Sequence, residues 1–366
     1  MGSVCRAPDP EAANLIPRAR TARQAWRAAG RSGGTGRPEP GNHELRTASR
    51  TMILQRSEGK PPYYRFDLLS RVPGLVHGVF TRHGGVSRPP YATLNVGWSN
   101  GDAREAVREN LDRVRDAVGV DVLVSGRQFH GDTIHLVDEE ALARALASCR
   151  PRQETASAAS PGNGAVSASA PERSRLRESD FPAVGTDASD SPAASAVLPP
   201  VLVMPPGDAL VTTLRGVGLL IKVADCQSIF LVDPVRKAIA NVHSGWRGSV
   251  CGIAGKTVRF MRDRFGSRPR DILATVGPSL GPCCGEFRNY RDELPESFHS
   301  FQVRPEYFDF WAITRRQLLD EGLRDEHVEA AGICTVCETG EFFSYRGERD
   351  TGRLAAVIGW KSDTED

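Results

Sequence analysis

Short apolar runs, many of them rich in β-branched residues, recur along the chain from residue 76 onward. Runs of this length that are bounded by glycine or polar residues are typical of buried β-strands. The pattern predicts strands over residues 76–80, 122–125, 210–214, 218–223, 228–232, 238–243, 272–276 and 354–359.

Other segments repeat their apolar residues at the 3.6-residue spacing of amphipathic helices. One predicted helix follows Asp102, which can act as its N-cap. Its apolar stripe consists of Val107, Leu111, Val114 and Val118. A second predicted helix runs from about Ser249 to Arg264 with Gly266 as its stop, and a shorter helical pattern covers Glu139–Ala147. Because strands alternate with helices, the sequence predicts an α/β (α+β) protein.

Composition and charge exclude several classes of protein. The 366 residues are 40% hydrophobic and 25% charged, which fits a globular core, and no apolar run approaches the ~20 residues of a membrane span. The net charge is +2, but residues 1–60 carry ten Arg and one Lys against five acidic residues, so the remainder is slightly acidic. Such a body argues against a nucleic-acid groove, which requires a basic face. We expect a cytoplasmic protein, either a monomer or a small homo-oligomer.

Two segments lack the patterns of folded structure. Residues 1–60 are rich in Arg, Ala, Gly and Pro and are predicted to form a disordered tail, with translation from Met52 as the alternative. Residues 151–200 contain 27 Ala, Ser or Pro, and such a segment cannot bury enough apolar surface to offset its ordering entropy. Since long loops add little closure entropy, we expect one domain over residues 61–366 with a low-complexity insertion at about 148–200.

Candidate chemistry lies where predicted strands end. Cys226, His243 and His130 each follow a short apolar run, and a rigid sheet holds side chains at such positions within reach of solvent. Two imidazoles and one thiolate form the ligand set of a zinc site with a free fourth position, as in catalytic zinc centres. Mixed nitrogen and sulfur ligands favour zinc, with copper as the alternative. Taken singly, each residue is also explained as a packed cysteine or a hydrogen-bonded histidine.

A series of short motifs occurs in a characteristic order along the chain. They are His77–Arg82 with Gly84–Ser87, Leu94–Gly97, Gln128–Gly131, Gly207–Thr212, Ala224–Cys226, His243–Gly248, Gly277–Gly281, Phe342–Arg346 and Thr351–Arg353. In this order they resemble the YfiH-type family, also called the laccase-domain or multicopper polyphenol oxidoreductase family. The resemblance runs from about His77 to Ile358, interrupted by the insertion.

Members of this family are described as zinc-dependent purine nucleoside phosphorylases with adenosine deaminase activity. The resemblance implies mixed sheets in an α/β/β/α sandwich and a zinc ion held by His130, Cys226 and His243, which are also the expected catalytic residues. The implied substrates are phosphate and adenosine, inosine or guanosine, with methylthioadenosine as a further nucleoside, and the products are the base and ribose 1-phosphate. The same zinc site would deaminate adenosine.

Four further residues are candidate substrate ligands: Arg247, Arg82, Asn95 and Asp208. Arg247 lies in a Gly-rich turn before the second predicted helix, whose N-terminal N–H groups would join it in binding phosphate. Arg82 would be a second phosphate clamp, as the family motif hints, and Asn95 would bind ribose or purine. The structural alternatives are a packed turn, a surface arginine and an Asx-turn, respectively. Asp208, like Asp225, would protonate the purine or orient a ligating histidine.

The chain offers other possible metal ligands. His77 lies in the first motif and is expected to line the same pocket, whereas the family pattern assigns no residue at His83. Cys283 and Cys284 form an adjacent pair, and Cys334 and Cys337 form a Cys-x-x-Cys motif. Together these four cysteines would hold a structural zinc ion. Because an adjacent pair is not the usual zinc knuckle, packed or redox-sensitive thiols are the favoured interpretation.

Other functions stay open as alternatives. Cys226 activated by His243 or His130 would make a cysteine hydrolase, which suits the peptidoglycan editing linked to some family members. The family name suggests a copper-dependent polyphenol oxidase, but eight histidines without a His-x-His pair are few for a multinuclear copper cluster. A non-enzymatic metal- or partner-binding protein is the third alternative. Gly255–Thr257 resembles the end of a P-loop, but that motif requires glycine five residues before Gly255, where this chain has Val250, so a P-loop is excluded.

Overall fold

The computed structural model describes residues 52–148 and 201–362. Within these ranges the strands are β1 (Met52–Gln55), β2 (Tyr63–Phe66), β3 (Leu75–Phe80), β4 (Val122–Arg127), β5 (Ile134–Leu136), β6 (Val201–Pro206), β7 (Ala209–Thr212), β8 (Val217–Val223), β9 (Gln227–Asp233), β10 (Ala238–Ser244), β11 (Leu273–Val276), β12 (Gln302–Arg304), β13 (Tyr307–Phe308), β14 (Val328–Ala330) and β15 (Leu354–Trp360). The helices are α1 (Asp67–Ser70), α2 (Arg104–Val118), α3 (Glu139–Ser148), α4 (Trp246–Val250), α5 (Ile253–Phe265), α6 (Tyr290–Glu293), α7 (Phe310–Asp320) and α8 (Tyr345–Glu348). None of these described helices is long and apolar enough to span a membrane.

The strands form two large mixed sheets and a small hairpin of β12 and β13. The first sheet has the order β1-β2-β3-β15-β8-β4-β6 and is antiparallel up to β8, after which β4 and β6 run parallel to it. The second has the order β14-β11-β9-β10-β7-β5, with antiparallel pairs in its centre and a parallel strand at each edge. Each of the strands predicted from the sequence is present in one of these sheets.

The two sheets pack face to face and are covered by helices on their outer faces. Residues of both sheets form a shared apolar core that includes Val79, Leu219, Ile358, Phe230 and Ile239. The apolar stripe of α2 covers the first sheet, and α5 and α7 cover the second. The architecture is the α/β/β/α sandwich that the family resemblance implies, because each sheet buries one face against the other and one face against helices.

One polar side chain links the two sheets directly. Asn241 lies on β10 of the second sheet and is fully buried. Its Nδ2 donates hydrogen bonds of 2.8 Å to the carbonyl oxygens of Leu219 on β8 and Ala356 on β15 of the first sheet. Since a buried amide that loses such partners destabilises the fold, these bonds favour one alignment of the two sheets.

Two helix predictions differ from the structure. Helix α2 begins after Ala103, and Asp102 does not cap it, because the Asp102 carboxylate accepts hydrogen bonds from Asn95 and from the N–H of Ala103 instead. The helix predicted from Ser249 to Arg264 is interrupted between α4 and α5, where Gly252 adopts a φ of 69° in the left-handed region. The predicted stop at Gly266 is confirmed.

The described fold begins earlier than the sequence predicts. Strand β1 pairs with β2 at the edge of the first sheet, so the predicted tail over residues 1–60 is wrong for Met52–Gln55. An edge strand is held mainly by backbone hydrogen bonds to one neighbour, and this one carries only a short apolar pattern. Residues 56–60 lie in the described turn between β1 and β2, and residue 148 is the last residue of α3. The other parts of the tail and insertion predictions fall on residues 1–51 and 149–200, outside the described residues.

Candidate metal centre

The three predicted metal ligands come together in the structure. The ligand atoms of His130, Cys226 and His243 all lie within 4.8 Å of one another, and the Cys226 sulfur lies 3.8 Å from Nε2 of His130. The two imidazole rings meet edge to face with their centroids 4.9 Å apart. His243 is buried whereas His130 is exposed, so the group is covered on one side and accessible on the other.

Both sheets contribute to this group. His130 follows β4 of the first sheet, His243 lies on β10 of the second, and Cys226 lies in the link from β8 to β9 that joins the sheets. The side-chain amide of Gln128 fixes the segment before His130, because its Oε1 accepts from the N–H of Lys222 at 2.9 Å and its Nε2 donates to the carbonyl of Lys222 at 2.7 Å. These bonds continue the pairing of β4 with β8 beyond the end of the backbone ladder.

A buried carboxylate holds two of the three ligands. Asp208 is fully buried, and its Oδ1 lies 2.7 Å from Nδ1 of His243. The same carboxylate accepts hydrogen bonds from the N–H groups of Phe129, His130 and Gly131. Because His130 has a φ of 64°, these successive N–H groups form a concave nest around the carboxylate. Since Asp208 occupies Nδ1 of His243, Nε2 is the ring nitrogen left to bind a metal ion.

The charges of this group shift the pKa values of its members. Burial acts to raise the pKa of Cys226, but the charge of His243 and hydrogen bonds from both histidines lower it to about 6. Burial acts to lower the pKa of His243, whereas Cys226 and Asp208 raise it to about 9. Burial likewise opposes ionisation of Asp208, but His243 and the backbone N–H groups lower its pKa. The surroundings therefore favour the Cys226 thiolate, the form that binds metals and acts as a nucleophile.

The residues present fit a metal ion. Gly245 allows the ligands to approach the backbone closely, since a Cβ at this position would lie 2.9 Å from Cδ2 of His130 and 3.0 Å from the Cys226 sulfur. Two nitrogen donors and one thiolate match zinc, with copper as the alternative. A carboxylate bonded to the second nitrogen of a ligating histidine is the usual outer support of such a site. Among the described residues, the one further candidate group consists of four cysteines, so no multinuclear histidine-rich copper cluster is found there.

Arg247 lies in the first turn of α4, four positions after His243. Its guanidinium lies over the Trp246 ring, 4.4 Å from the centroid, and makes no hydrogen bond or ion pair within the part of the chain that the structure describes. The helix begins at Trp246, and the N–H of Ser249 already donates to the carbonyl of Gly245. The helix therefore begins three residues earlier than predicted, so its N-terminal N–H groups lie at Arg247 itself, and their part in a phosphate site stays a prediction.

Arg82 has structural partners on a distant segment. Its guanidinium forms an ion pair with Glu348 at 2.8 Å and donates to the carbonyl oxygens of Thr339 and Ala92. It also lies over the ring of Phe343, 4.5 Å from the centroid. These contacts join the loop after β3 to the segment before β15. They do not support a phosphate clamp, so that role of Arg82 stays a prediction.

Asn95 organises a loop in the same region. It is fully buried, and its amide bonds to Gly97, Asn100 and Asp102 and accepts a hydrogen bond of 2.8 Å from the N–H of Arg353. Both ends of the amide are therefore occupied by protein atoms. The contacts favour the structural alternative over ribose or purine binding. For Asp208 they favour orientation of a ligating histidine over direct contact with substrate.

Asp225, which directly precedes Cys226, also has its carboxylate engaged in hydrogen bonds, and these are partly buried. Its Oδ1 accepts from the hydroxyl groups of Thr335 at 2.7 Å and Ser344 at 2.6 Å, and its Oδ2 accepts from the N–H of Arg346 at 2.6 Å. Asp225 has a φ of 80°, and left-handed conformations of this kind collect at functional sites where the surroundings hold them. Asp225 therefore fixes the turn that presents Cys226.

The two rival histidines lie outside the group. His77 is 2% exposed and lies in the core between the sheets, where its Nε2 accepts a hydrogen bond of 2.9 Å from the N–H of Phe66 and its ring faces Phe66 and Phe230. Burial and the charge of Arg65 lower its pKa to about 3. The expectation that His77 lines the metal pocket is wrong, because its ring is packed in the core between the two sheets. His83 is half-exposed, 3.9 Å from Glu341.

The structure also brings together the four cysteines that the sequence offers as a second zinc site, although packed or redox-sensitive thiols are the interpretation that the sequence favours. The sulfur atoms of Cys283, Cys284, Cys334 and Cys337 lie within 4.8 Å of one another. Burial and neighbouring sulfurs raise the pKa of Cys283 to about 12, and they also raise the pKa of Cys284. The spacing signal was present, but the approach of two segments more than fifty positions apart was visible only in the fold.

Comparison with known proteins places these motifs in one family. The sequence profile described as multi-copper polyphenol oxidoreductase laccase matches residues 76–170 and 177–361. The chain is 30% identical over 317 residues to the purine nucleoside phosphorylase YlmD of Geobacillus stearothermophilus, covering 83% of this chain and 94% of that protein. It is also 30% identical over 292 residues to the purine nucleoside phosphorylase Cgl2154/cg2365 of Corynebacterium glutamicum, covering 77% and 94%.

Solved structures agree on the fold. The crystal structure of YlmD from Geobacillus stearothermophilus aligns with a TM-score of 0.62 and 27% identity over 85% of this chain and 100% of that one. The α/β class and the resemblance drawn from the motifs are both confirmed. The chain belongs to the multi-copper polyphenol oxidoreductase laccase family.

Proposed function

We propose that this protein is a purine nucleoside phosphorylase, which splits adenosine, inosine or guanosine with phosphate into the base and ribose 1-phosphate. The observation that carries the proposal is the accessible group of His130, Cys226 and His243, which offers three ligands and an open side. Relatives that cover most of the chain are named purine nucleoside phosphorylases, which supports the same reaction here. A zinc ion in this group would supply a Lewis-acid site for an oxygen of the substrates.

The residues around the group have distinct tasks in this proposal. Asp208 holds His243 through Nδ1 and the His130 segment through its N–H groups, so that both rings keep their orientation. Gly245 leaves the space between His130 and Cys226 free of a side chain. Arg247, which has no ion-pair partner among the described residues, supplies positive charge for phosphate. A fixed cation next to the site stabilises the transition state electrostatically.

The reaction forms a bond from a phosphate oxygen to C1′ and breaks the bond from C1′ to the purine nitrogen. The purine leaves with the electron pair of that bond and is protonated on a ring nitrogen. Asp208 is held in a buried hydrogen bond and Asp225 in partly buried ones, so in this proposal the proton comes from solvent. Adenosine deamination needs a carboxylate that moves protons, and the hydrogen bonds that engage Asp208 and Asp225 give no support to such a role.

The decisive experiment compares wild type with Cys226→Ala. We expect wild type to release ribose 1-phosphate from adenosine and inosine only when phosphate is present, and to carry zinc at the three-ligand site. The variant should lose both the activity and that zinc ion. Wild-type protein with this site fully loaded and no phosphate-dependent release would overturn the proposal.

One observation favours a second candidate function. Asp208, His243 and Cys226 stand in the order of a carboxylate, a histidine and a nucleophile, and the pKa of Cys226 is lowered to about 6. This arrangement is that of a cysteine hydrolase. Alkylation distinguishes the two. A metal-bound Cys226 reacts with iodoacetamide only after a chelator is added, whereas a free nucleophile reacts at once.

A further inference from the structure

A group of four cysteines lies outside the candidate metal centre. Two of them, Cys283 and Cys284, lie after β11, and the other two, Cys334 and Cys337, lie after β14. The Cys337 sulfur is 3.5 Å from that of Cys283 and 3.7 Å from that of Cys284. In a tetrahedral site with zinc–sulfur bonds of ~2.3 Å, neighbouring sulfurs lie ~3.8 Å apart. The sulfurs are therefore already spaced as such a site requires.

Backbone hydrogen bonds bring the two segments together independently of the sulfurs. The N–H of Ser279 donates to the carbonyl of Ile333, and the N–H of Thr335 donates to the carbonyl of Ser279, each at 3.1 Å. One bond from this framework reaches a sulfur, because the N–H of Gly281 donates to Cys334 at 3.3 Å. Hydrogen bonds from backbone N–H groups to ligating sulfurs are the outer support expected around a thiolate site.

Positive charge lies beside the group. The guanidinium of Arg304 donates to the carbonyl of Cys283 at 2.9 Å, and that of Arg346 donates to the carbonyl of Cys284 at 3.2 Å. A metal ion bound by four thiolates carries net negative charge, which two adjacent guanidinium groups would offset.

We propose that Cys283, Cys284, Cys334 and Cys337 bind a structural zinc ion, closed to substrate and separate from the centre at His243. All four positions of a tetrahedral zinc ion are supplied by the protein, as in structural sites. A disulfide would select one partner for Cys337, whereas its sulfur lies almost equally far from Cys283 and Cys284. The adjacent pair, unusual as a zinc knuckle, is placed by a turn in which the N–H of Cys284 donates to the carbonyl of Gly281.

The position of this ion gives it a task. Both cysteine-bearing segments contact Asp225, since the N–H of Leu280 donates to its carbonyl at 2.8 Å and the Thr335 hydroxyl donates to its carboxylate at 2.7 Å. Asp225 directly precedes Cys226. The structural zinc ion therefore stabilises the turn that presents Cys226 to the candidate metal centre, which is called the first centre below. This inference holds whether or not the first centre is a phosphorylase site.

Metal analysis of full-length protein purified under reducing conditions tests the proposal. We expect two zinc ions per chain in wild type, one in Cys226→Ala and one in the double variant C283S/C337S. X-ray absorption at the zinc edge should report four sulfur ligands at ~2.3 Å in Cys226→Ala, and mixed nitrogen and sulfur ligands in the double variant. If the double variant does not fold, the spectrum of Cys226→Ala alone decides.

Three results would overturn the inference. The first is Cys226→Ala protein that folds and contains no zinc. The second is an intact mass that reports disulfides among these four cysteines in protein kept under reducing conditions. The third is a metal other than zinc bound by the four sulfurs. Absence of phosphorolysis in wild type with two bound zinc ions would contradict the proposed function and leave the structural zinc site standing.

Discussion

Two buried histidines, His77 and His243, show how differently the same side chain behaves in the two parts of the sandwich. Each lies on a central strand and is at most 3% exposed. His243 sits between the Asp208 carboxylate and the Cys226 sulfur, which raise its pKa to about 9 against the effect of burial. His77 sits between aromatic rings with one backbone N–H as its partner, and burial lowers its pKa to about 3.

The contrast shows that anionic neighbours, rather than the degree of burial, distinguish a reactive histidine from a packed one. Desolvation acts in the same direction on both rings, because it disfavours the charged imidazolium. Only His243 has anionic neighbours that outweigh it, and only His243 has a second ring nitrogen directed towards other metal-ligating atoms. Replacing each histidine by the same residue therefore separates the two roles.

The largest effect on turnover is expected from His243→Gln. This change removes a metal ligand and the partner of Asp208, so we expect loss of zinc from the three-ligand group. We expect turnover to fall by more than ~100-fold, the upper end for loss of an outer support. His77→Gln is the matched control and should retain both. Zinc content and steady-state kinetics of the two variants check this, and equal retention of zinc would refute the assignment.

A smaller effect is expected from Asp208→Asn. The amide leaves His243 in place but weakens the hold on its Nδ1, so zinc affinity and turnover should each fall ~10–100-fold. Asp233 is a matched control, because it is also buried and accepts backbone hydrogen bonds, from Val235 and Arg236, in a turn outside the centre. Competition with a chelator measures the affinities. An Asp233→Asn variant with the same loss would show that the effect is general destabilisation.

The smallest effect on turnover, and a distinct effect on stability, is expected from His77→Gln. The folded-state pKa of His77 is about 3 and the ordinary value is 6.5. Below pH ~6.5 the unfolded chain binds a proton that the folded chain does not, so the free energy of unfolding falls by ~1.4 kcal/mol for each pH unit towards pH ~3. The variant should lose this slope, which urea unfolding at several pH values measures. His83→Gln, at a half-exposed position, should keep it. An unchanged slope in His77→Gln would contradict the prediction.

The central elements of the fold were predictable from the sequence because they carry local signals. Buried strands such as β8 and β10 are continuous apolar runs, and period alone identifies α2. Breaks in those signals were harder to predict. Gly252 separates two helices whose combined pattern is continuous, and β1 is an edge strand with little pattern of its own.

The site was predictable only in part, because residue types at strand ends indicate ligands but not the partners of those ligands. His130, Cys226 and His243 follow from their positions after apolar runs and from the family motifs. The roles of Arg82 and Asn95 depend on Glu348 and Arg353, more than 250 positions away, and no local pattern reports such contacts. The pairing of the two cysteine segments depends on the same kind of long-range contact.

The amide of Asn241 has a consequence for how the first centre is built. It anchors β10 to two strands of the opposite sheet, and His243 lies two residues further along the same strand, on the same face. Cys226 follows β8, one of the two strands to which Asn241 is bonded. Asn241 thus fixes the alignment of two sheets that each carry part of the metal centre. The distances between the ligands therefore depend on how the two sheets are aligned. A single amide in the apolar core contributes to the geometry of the metal centre.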